Sequence, residues 1–273
     1  MQIPNTRKIK ANALQARKSM VILESMVRKN IKNQYRRSFL GVLWTVLNPL
    51  LTMLVMAFVF SNIFGRQGIS MDYPVYVLSG NIVFSFMRAA TSNSLTCIVN
   101  NYDLLTKTRV PYAVFPISQT LSSVVNFGFS FIALIVVMLI RIPNGVIFHW
   151  TMFMTLAPWL PSIMMFTTGI SFILCSVYVR FRDIKHIYSV FLTLWMYMTP
   201  IFYSLDVLKL DPVARQVMEI NPMLHYLNYF RDIVCGTVPT WQAHAICYGA
   251  GAAALLVGWV IFRLSRKKFI LYI

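Results

Sequence analysis

The chain has 273 residues, 58% of them hydrophobic and only 12% charged, and its mean hydropathy is +0.63. A water-soluble domain carries about a quarter charged residues, so too few polar side chains remain to cover a soluble surface, and lipid must cover much of it. The net charge of +17 fits the positive-inside rule and anionic headgroups rather than nucleic acid, because the basic residues gather in particular segments.

No secretory signal pattern opens the chain: the first apolar run begins only after Phe39, behind a basic leader over 1–40, so the first span is expected to be retained. Within that leader Met20, Leu23, Val27, Ile31 and Tyr35 recur at three- and four-residue steps, one stripe of a helix, with Lys18, Arg28, Lys29, Lys32 and Arg36 opposite. Such a helix suits a bilayer surface, its stripe in acyl chains and its charges on phosphates; Glu24 interrupts the stripe's edge.

The remainder, 41–273, contains six stretches of the length that a spanning helix needs. They run Gly41 to Ile63, Val75 to Val99, Tyr112 to Ile140, Trp150 to Val179, Tyr188 to Leu205, and Trp241 to Phe262. With six spans both termini share one side. Nineteen of the 25 basic residues fall on that side, from the leader, Lys107 and Arg109, Arg180 to Lys185, and Arg263 to Lys268. Only five lie on the other, with Arg88 left inside the second span, so both ends are expected in the cytoplasm. In the last span Gly249, Gly251 and the alanines around them invite close helix packing.

The outer segment 206–240 is more than a connector. Asp211-Pro212 and Asn221-Pro222 each set a capping side chain before a proline at the first helical position, and Gly236 suits the end of the second helix. Two short helices are expected there, either dipping back toward the membrane or lying on the surface as an amphipathic lid.

Several chemistries lack their residues. No Gly-x-x-x-x-Gly-Lys-Ser/Thr run is present to cradle nucleotide phosphates. All eight acids fall in loops or termini, so neither a proton-coupled carrier nor carboxylate acid–base catalysis finds its groups in a span. Cys97, Cys175, Cys235 and Cys247 form no Cys-x-x-Cys pair, which argues against zinc or haem; a bridge between Cys235 and Cys247 is conceivable on the outer side. Energy for transport would have to come from another chain.

The run Tyr35-Arg36-Arg37-Ser38-Phe39-Leu40-Gly41-Val42-Leu43-Trp44, followed by Asn48-Pro49-Leu50, resembles the start of the first span in polysaccharide-export ABC permeases, the transmembrane subunits that move O-antigen, capsule or teichoic-acid chains. Asn101 to Leu105, Val110-Pro111, Arg180 to Ile184, Thr199-Pro200-Ile201, and Asn221-Pro222 with Arg231 and Gly236 continue the likeness in order over nearly the whole chain. The resemblance implies an all-α integral membrane protein of the bacterial cytoplasmic membrane, a homodimeric pore with two copies of a soluble ATPase beneath it. It implies an undecaprenyl-linked glycan or polyol-phosphate polymer as substrate. ATP and Mg would be bound by the partner, with no cofactor in this chain.

Site residues follow from these two readings. Arg36 and Arg37 offer guanidinium forks for a lipid pyrophosphate, or simply anchor in headgroups. Trp44, Phe58, Phe60, Trp195, Tyr197, Phe202 and Tyr203 are candidates for a channel wall on which sugar rings slide, though aromatics also fill interfacial belts and helix contacts. Tyr102, Asp103, Lys107, Arg109, Arg182 and Asp183 lie in the two short inner segments that would dock on the ATPase. Arg88, costly in mid-span, should face a pore, another subunit or a wet cavity. Two rivals remain open: a permease for small molecules or drugs, and a membrane-embedded sugar transferase.

Overall fold

The computed structural model describes residues 6–35, 43–63, 71–107, 110–205, 212–266 and 269. Their helices are α1 (Thr6–Tyr35), α2 (Leu43–Ile63), α3 (Tyr73–Leu95), α4 (Tyr102–Lys107), α5 (Val114–Ile140), α6 (Thr151–Arg180), α7 (Ile184–Met198), α8 (Pro212–Ile220), α9 (Pro222–Val234) and α10 (Trp241–Ser265), with no strand among them. Three, α5, α6 and α10, are each long and apolar enough to cross a bilayer; α3 joins them if counted with the segment Val99–Thr106, from which it bends by 60°.

Two expected spans end early. The second is expected to reach Val99, but α3 stops at Leu95 and the chain turns into α4. The fifth is expected over Tyr188 to Leu205, but α7 begins at Ile184 and stops at Met198. Pro200 is the reason: it disfavours helical backbone at the residue before it, and Thr199 is extended at φ −99°, ψ 125°. Fifteen residues of α7 rise only about 22 Å, short of the ~30 Å hydrocarbon layer.

The centre of the bundle is α3, where Val77, Leu78, Val83, Met87 and Ala90 are fully enclosed, with α2, α5, α6 and α9 around it. The most extensive helix pair is α6 against α10. Its crossing needs glycine: a Cβ on Gly169 would enter the backbone of Ala254, and one on Gly258 the backbone of Gly169. Gly251 and Ala254 belong to this contact as their spacing suggests, whereas Gly249 faces open space.

In the segment before α10 the cap of α9 forms as its residues dictate. Asn221 Oδ1 accepts the Met223 N–H at 3.0 Å, Pro222 opens the helix, and Gly236 takes φ 73° just past its end. Helix α9 is no surface lid. Tyr226, Leu227, Tyr229, Phe230 and Ile233 are buried among α3, α6 and α10. Trp159 Nε1 donates to the Tyr226 carbonyl at 3.0 Å, and the Tyr226 hydroxyl to the Cys247 carbonyl at 2.6 Å. By contrast α8 stays exposed along Val213, Val217 and Ile220. Cys235 and Cys247 are both free thiols, so the conceivable bridge is absent: Cys247 packs in the core and Cys235 lies at the surface. Near the same end Arg141 pairs with Asp72 through two bonds of 3.1 and 2.7 Å, which hold the guanidinium above its usual pKa.

A second core at the opposite end joins Met26 of α1, Cys97, Ile98, Val110, Phe115, Val179, Phe262 and Phe269. Helix α1 sits on α5 here, and its contact departs from the expected stripe. Leu23, Val27 and Ile31 are half-buried, yet Met20 is 73% exposed, and Met26 and Asn30 make the closest fit. Asn30 Nδ2 donates to the hydroxyls of Ser118 and Ser122 at 3.4 and 3.3 Å, Asn126 Nδ2 donates to Gln34 Oε1 at 3.0 Å, and Lys29 Nζ to Asn101 Oδ1 at 3.0 Å. An amide at a helix contact requires a polar partner, and these pairs seat α1 on protein rather than leaving its inner stripe to lipid alone.

Candidate functional site

Polar side chains recur along one face of each of three central helices. On α2 they are Asn48 and Thr52; on α3 Asn81, Ser85 and Arg88; on α5 Ser123, Asn126 and Ser130. Steps of three, four and seven residues stack side chains on a single helical face. The three faces converge on one cavity of about 850 Å³, which Gln34 borders from α1, Met196 from α7, and Phe202 from the chain after it. Trp44, Pro49, Met56, Phe86 and Phe127 supply the apolar parts of the wall.

The cavity's polarity is mostly neutral. Amides and hydroxyls both donate and accept, the pattern that sugar hydroxyls match, and the aromatic faces between them fit the apolar faces of pyranose rings. Among the described residues no acid lines it, and the one permanent charge is Arg88. Its Nη2 approaches Met196 Sδ at 3.2 Å and its guanidinium lies 5.2 Å from the Phe84 ring centre. The Nε is buried without a hydrogen-bond partner. Beside it the Tyr188 hydroxyl donates to Thr91 Oγ1 at 2.7 Å.

The aromatics singled out from sequence divide into distinct settings. Trp44 and Phe202 line the cavity. Phe58 is 70% exposed on α2 and Tyr197 55% exposed on α7; the side chain of Phe60 lies outside the described residues. Trp195 and Tyr203 fasten the break after α7. Trp195 Nε1 donates to Asn221 Oδ1 at 2.8 Å, Asn221 Nδ2 to Thr199 Oγ1 at 2.9 Å, and the Tyr203 hydroxyl to the Tyr197 carbonyl at 2.6 Å.

That break is held from three sides, because its carbonyls have lost their helical donors. Tyr73 donates to the Phe202 carbonyl at 2.8 Å and Tyr76 to the Tyr203 carbonyl at 2.7 Å. Arg231 of α9, nine-tenths buried, reaches the carbonyls of Pro200 and Ile201 with Nη2 at 3.0 and 3.2 Å. Its guanidinium lies 3.5 Å from the Tyr76 ring centre, a desolvated cation–π contact. Gly80 leaves room for this crossing: a Cβ there would stand 3.1 to 3.3 Å from Ile201, Arg231 and Leu227.

Tyr102 and Asp103 are exposed on α4, and Arg182 and Asp183 are exposed in the turn between α6 and α7. Both segments stand at the end of the bundle where Val179 packs with Cys97 and Ile98. Arg36, Arg37 and Arg109 lie outside the described residues, as does the side chain of Lys107. The cavity's amides and serines escaped the sequence reading, which weighed ionisable groups and aromatics; their signal was uncharged polar residues repeating inside apolar spans.

Residues 23–235 match the ABC-2 type transporter family. The chain is 33% identical over 214 residues to the O-antigen export system permease protein RfbA of Myxococcus xanthus, covering 78% of this chain and 79% of that one. It is 27% identical over 256 residues to the Klebsiella pneumoniae protein of the same name, covering 91% and 93%. Identity to the polysialic acid transport protein KpsM of Escherichia coli is 23% over 219 residues, covering 78% and 81%.

Proposed function

Because the chain belongs to the ABC-2 type transporter family, we propose that it is the transmembrane subunit of an ATP-driven exporter moving a lipid-linked cell-surface polysaccharide across the bacterial cytoplasmic membrane. The observation that carries this reading is the cavity of about 850 Å³, its neutral amides and hydroxyls interleaved with aromatic rings. A long polymer needs a wall it can slide along, and weak, exchangeable contacts repeated on several helices provide one.

Six spans with both termini in the cytoplasm complete the proposal, with α2 and α7 as the first and fifth. Both helices present apolar residues outward, Leu51, Leu54, Val55 and Phe58 on α2 and Ile187, Val190, Phe191 and Leu194 on α7. A second copy of the chain, packed against these faces, would extend the cavity into a pore and cover α7 where it is too short to span alone. Two copies of a soluble ATPase would bind ATP and Mg and press on Tyr102–Asp103 and Arg182–Asp183. The second core behind α4 ties that surface to α1, α5, α6 and α10, giving the stroke a packed route into the bundle.

The test is a chromosomal deletion complemented with wild type or with the paired variant Asn81→Leu/Asn126→Leu. Export of glycan through the cavity predicts that deletion abolishes surface glycan and traps lipid-linked polymer inside. It also predicts that the leucine pair, expressed at wild-type level, restores less than half. Full surface glycan in the deletion strain would refute the proposal.

A further inference from the structure

A second, smaller cavity of about 310 Å³ opens between α3 and α7, and Arg88 is the residue common to both. Its wall brings Lys185 and His186 to the same space as Arg88, with the hydroxyl side chains of Ser92, Ser189 and Thr193. None of the lining residues is acidic. Cations gathered without a carboxylate repel one another, and an anion among them removes that cost.

The position of Lys185 and His186 is a second, independent sign. They occupy the first turn of α7, where the positive end of the helix dipole disfavours the Lys185 ammonium, and that turn has no acidic residue. Asp183 precedes it but makes no side-chain cap bond and is exposed. Neither Lys185 nor His186 forms an ion pair among the described residues. Arg88 adds a buried Nε with no partner and a second donor spent on a thioether, a weak acceptor. A charge in the middle of an apolar helix costs ~2.5–3.5 kcal/mol, and no carboxylate among the described lining residues offsets it.

We infer that this smaller cavity is an oxyanion site for a phosphate or diphosphate ester, with Arg88 at its junction with the larger cavity. The inference rests on the proposed function in one respect: it takes the ester to be the lipid end of the exported chain, not a bilayer headgroup. The guanidinium would meet two phosphate oxygens with its planar fork, Lys185 would add charge and His186 a ring N–H from the α7 side, and the hydroxyls would donate the remaining bonds. Because Arg88 borders both spaces, a phosphate held here leaves its attached sugar beside the amides of the larger cavity. Arg36 and Arg37, the sequence's own phosphate candidates, lie elsewhere in the chain, before α2.

The experiment titrates the detergent-purified chain with farnesyl diphosphate, following intrinsic tryptophan fluorescence, with farnesol as the uncharged control. Saturable binding is expected for the diphosphate and none for farnesol. Arg88→Gln should weaken the diphosphate about tenfold or more, the loss of charge-assisted bonds. The exposed pair Lys185→Gln/His186→Gln, which leaves the packing untouched, should weaken it severalfold. Wild-type affinity in both variants would overturn the site. Competition by phosphatidylglycerol as effective as by farnesyl diphosphate would assign the phosphate to the bilayer and overturn the link to the exported chain. The two readings fail separately: binding lost in the variants, in a strain whose deletion keeps its surface glycan, would leave the site standing without the export function. Unaltered binding in a glycan-negative deletion would do the reverse.

Discussion

Replacing Arg231 by methionine tests how the broken fifth helix is held. The guanidinium donates to the Pro200 and Ile201 carbonyls and covers the Tyr76 ring, all within a nine-tenths buried site. Each hydrogen bond from a charged donor contributes about 1.5–3 kcal/mol, and a desolvated cation–π contact about 2 kcal/mol. Against them stands the cost of keeping a guanidinium out of water, with Nε unpartnered, which methionine avoids. Removing one side of a buried charged contact nets about 3–5 kcal/mol of destabilisation; methionine should fall near the lower figure, because it fills the volume and leaves only carbonyls unpaired. The assay is thermal unfolding of the detergent-purified protein, monitored by tryptophan fluorescence, since Trp195 is bonded to Asn221 beside the break. Arg231→Lys should recover part of the loss, keeping charge without the two-carbonyl reach. If Arg231→Met unfolds at the wild-type temperature, the guanidinium does not fasten this segment.

Gly169→Leu should collapse the α6–α10 crossing, because even a Cβ enters the Ala254 backbone; fluorescence-detected gel filtration should show aggregation, whereas Gly249→Ala, facing open space, should elute as wild type and gain up to about 1 kcal/mol of helix propensity. Asp103→Arg, on the exposed face of α4, should leave the fold intact yet abolish co-purification of the ATPase partner; retained co-purification would remove α4 from that interface. Asn30→Leu should unseat α1 by leaving the Ser118 and Ser122 hydroxyls without its amide, at about 1–2 kcal/mol, read as faster proteolysis within the leader.

Where the fold was legible, a local rule outweighed tertiary context. Length and apolarity placed α5, α6 and α10; Asn221-Pro222 and Gly236 fixed both ends of α9; Gly251 and Ala254 marked a close crossing. The misplaced limits have equally local causes: Pro200 ends α7 inside an apolar run whose hydropathy continues to Leu205. What spacing could not supply was partnership. The leader's stripe favoured Met20, but Asn30 and Met26 face α5, because serines more than 80 residues away await that amide. Trp195 and Tyr203, candidates for a channel wall, also fasten the break after Met198 through Asn221 and the Tyr197 carbonyl, partners that their spacing does not reveal. Only the three-dimensional meeting of α2, α3 and α5 turns scattered Asn48, Asn81 and Asn126 into one surface.

The most direct measurement is translocation in proteoliposomes containing this chain, with and without its ATPase partner, loaded with lipid-linked glycan on the ATP-accessible face. Export powered by the partner predicts that glycan becomes protected from externally added glycosidase only when both proteins and hydrolysable ATP are present. Protection by this chain alone, or none with both proteins and ATP, would contradict it.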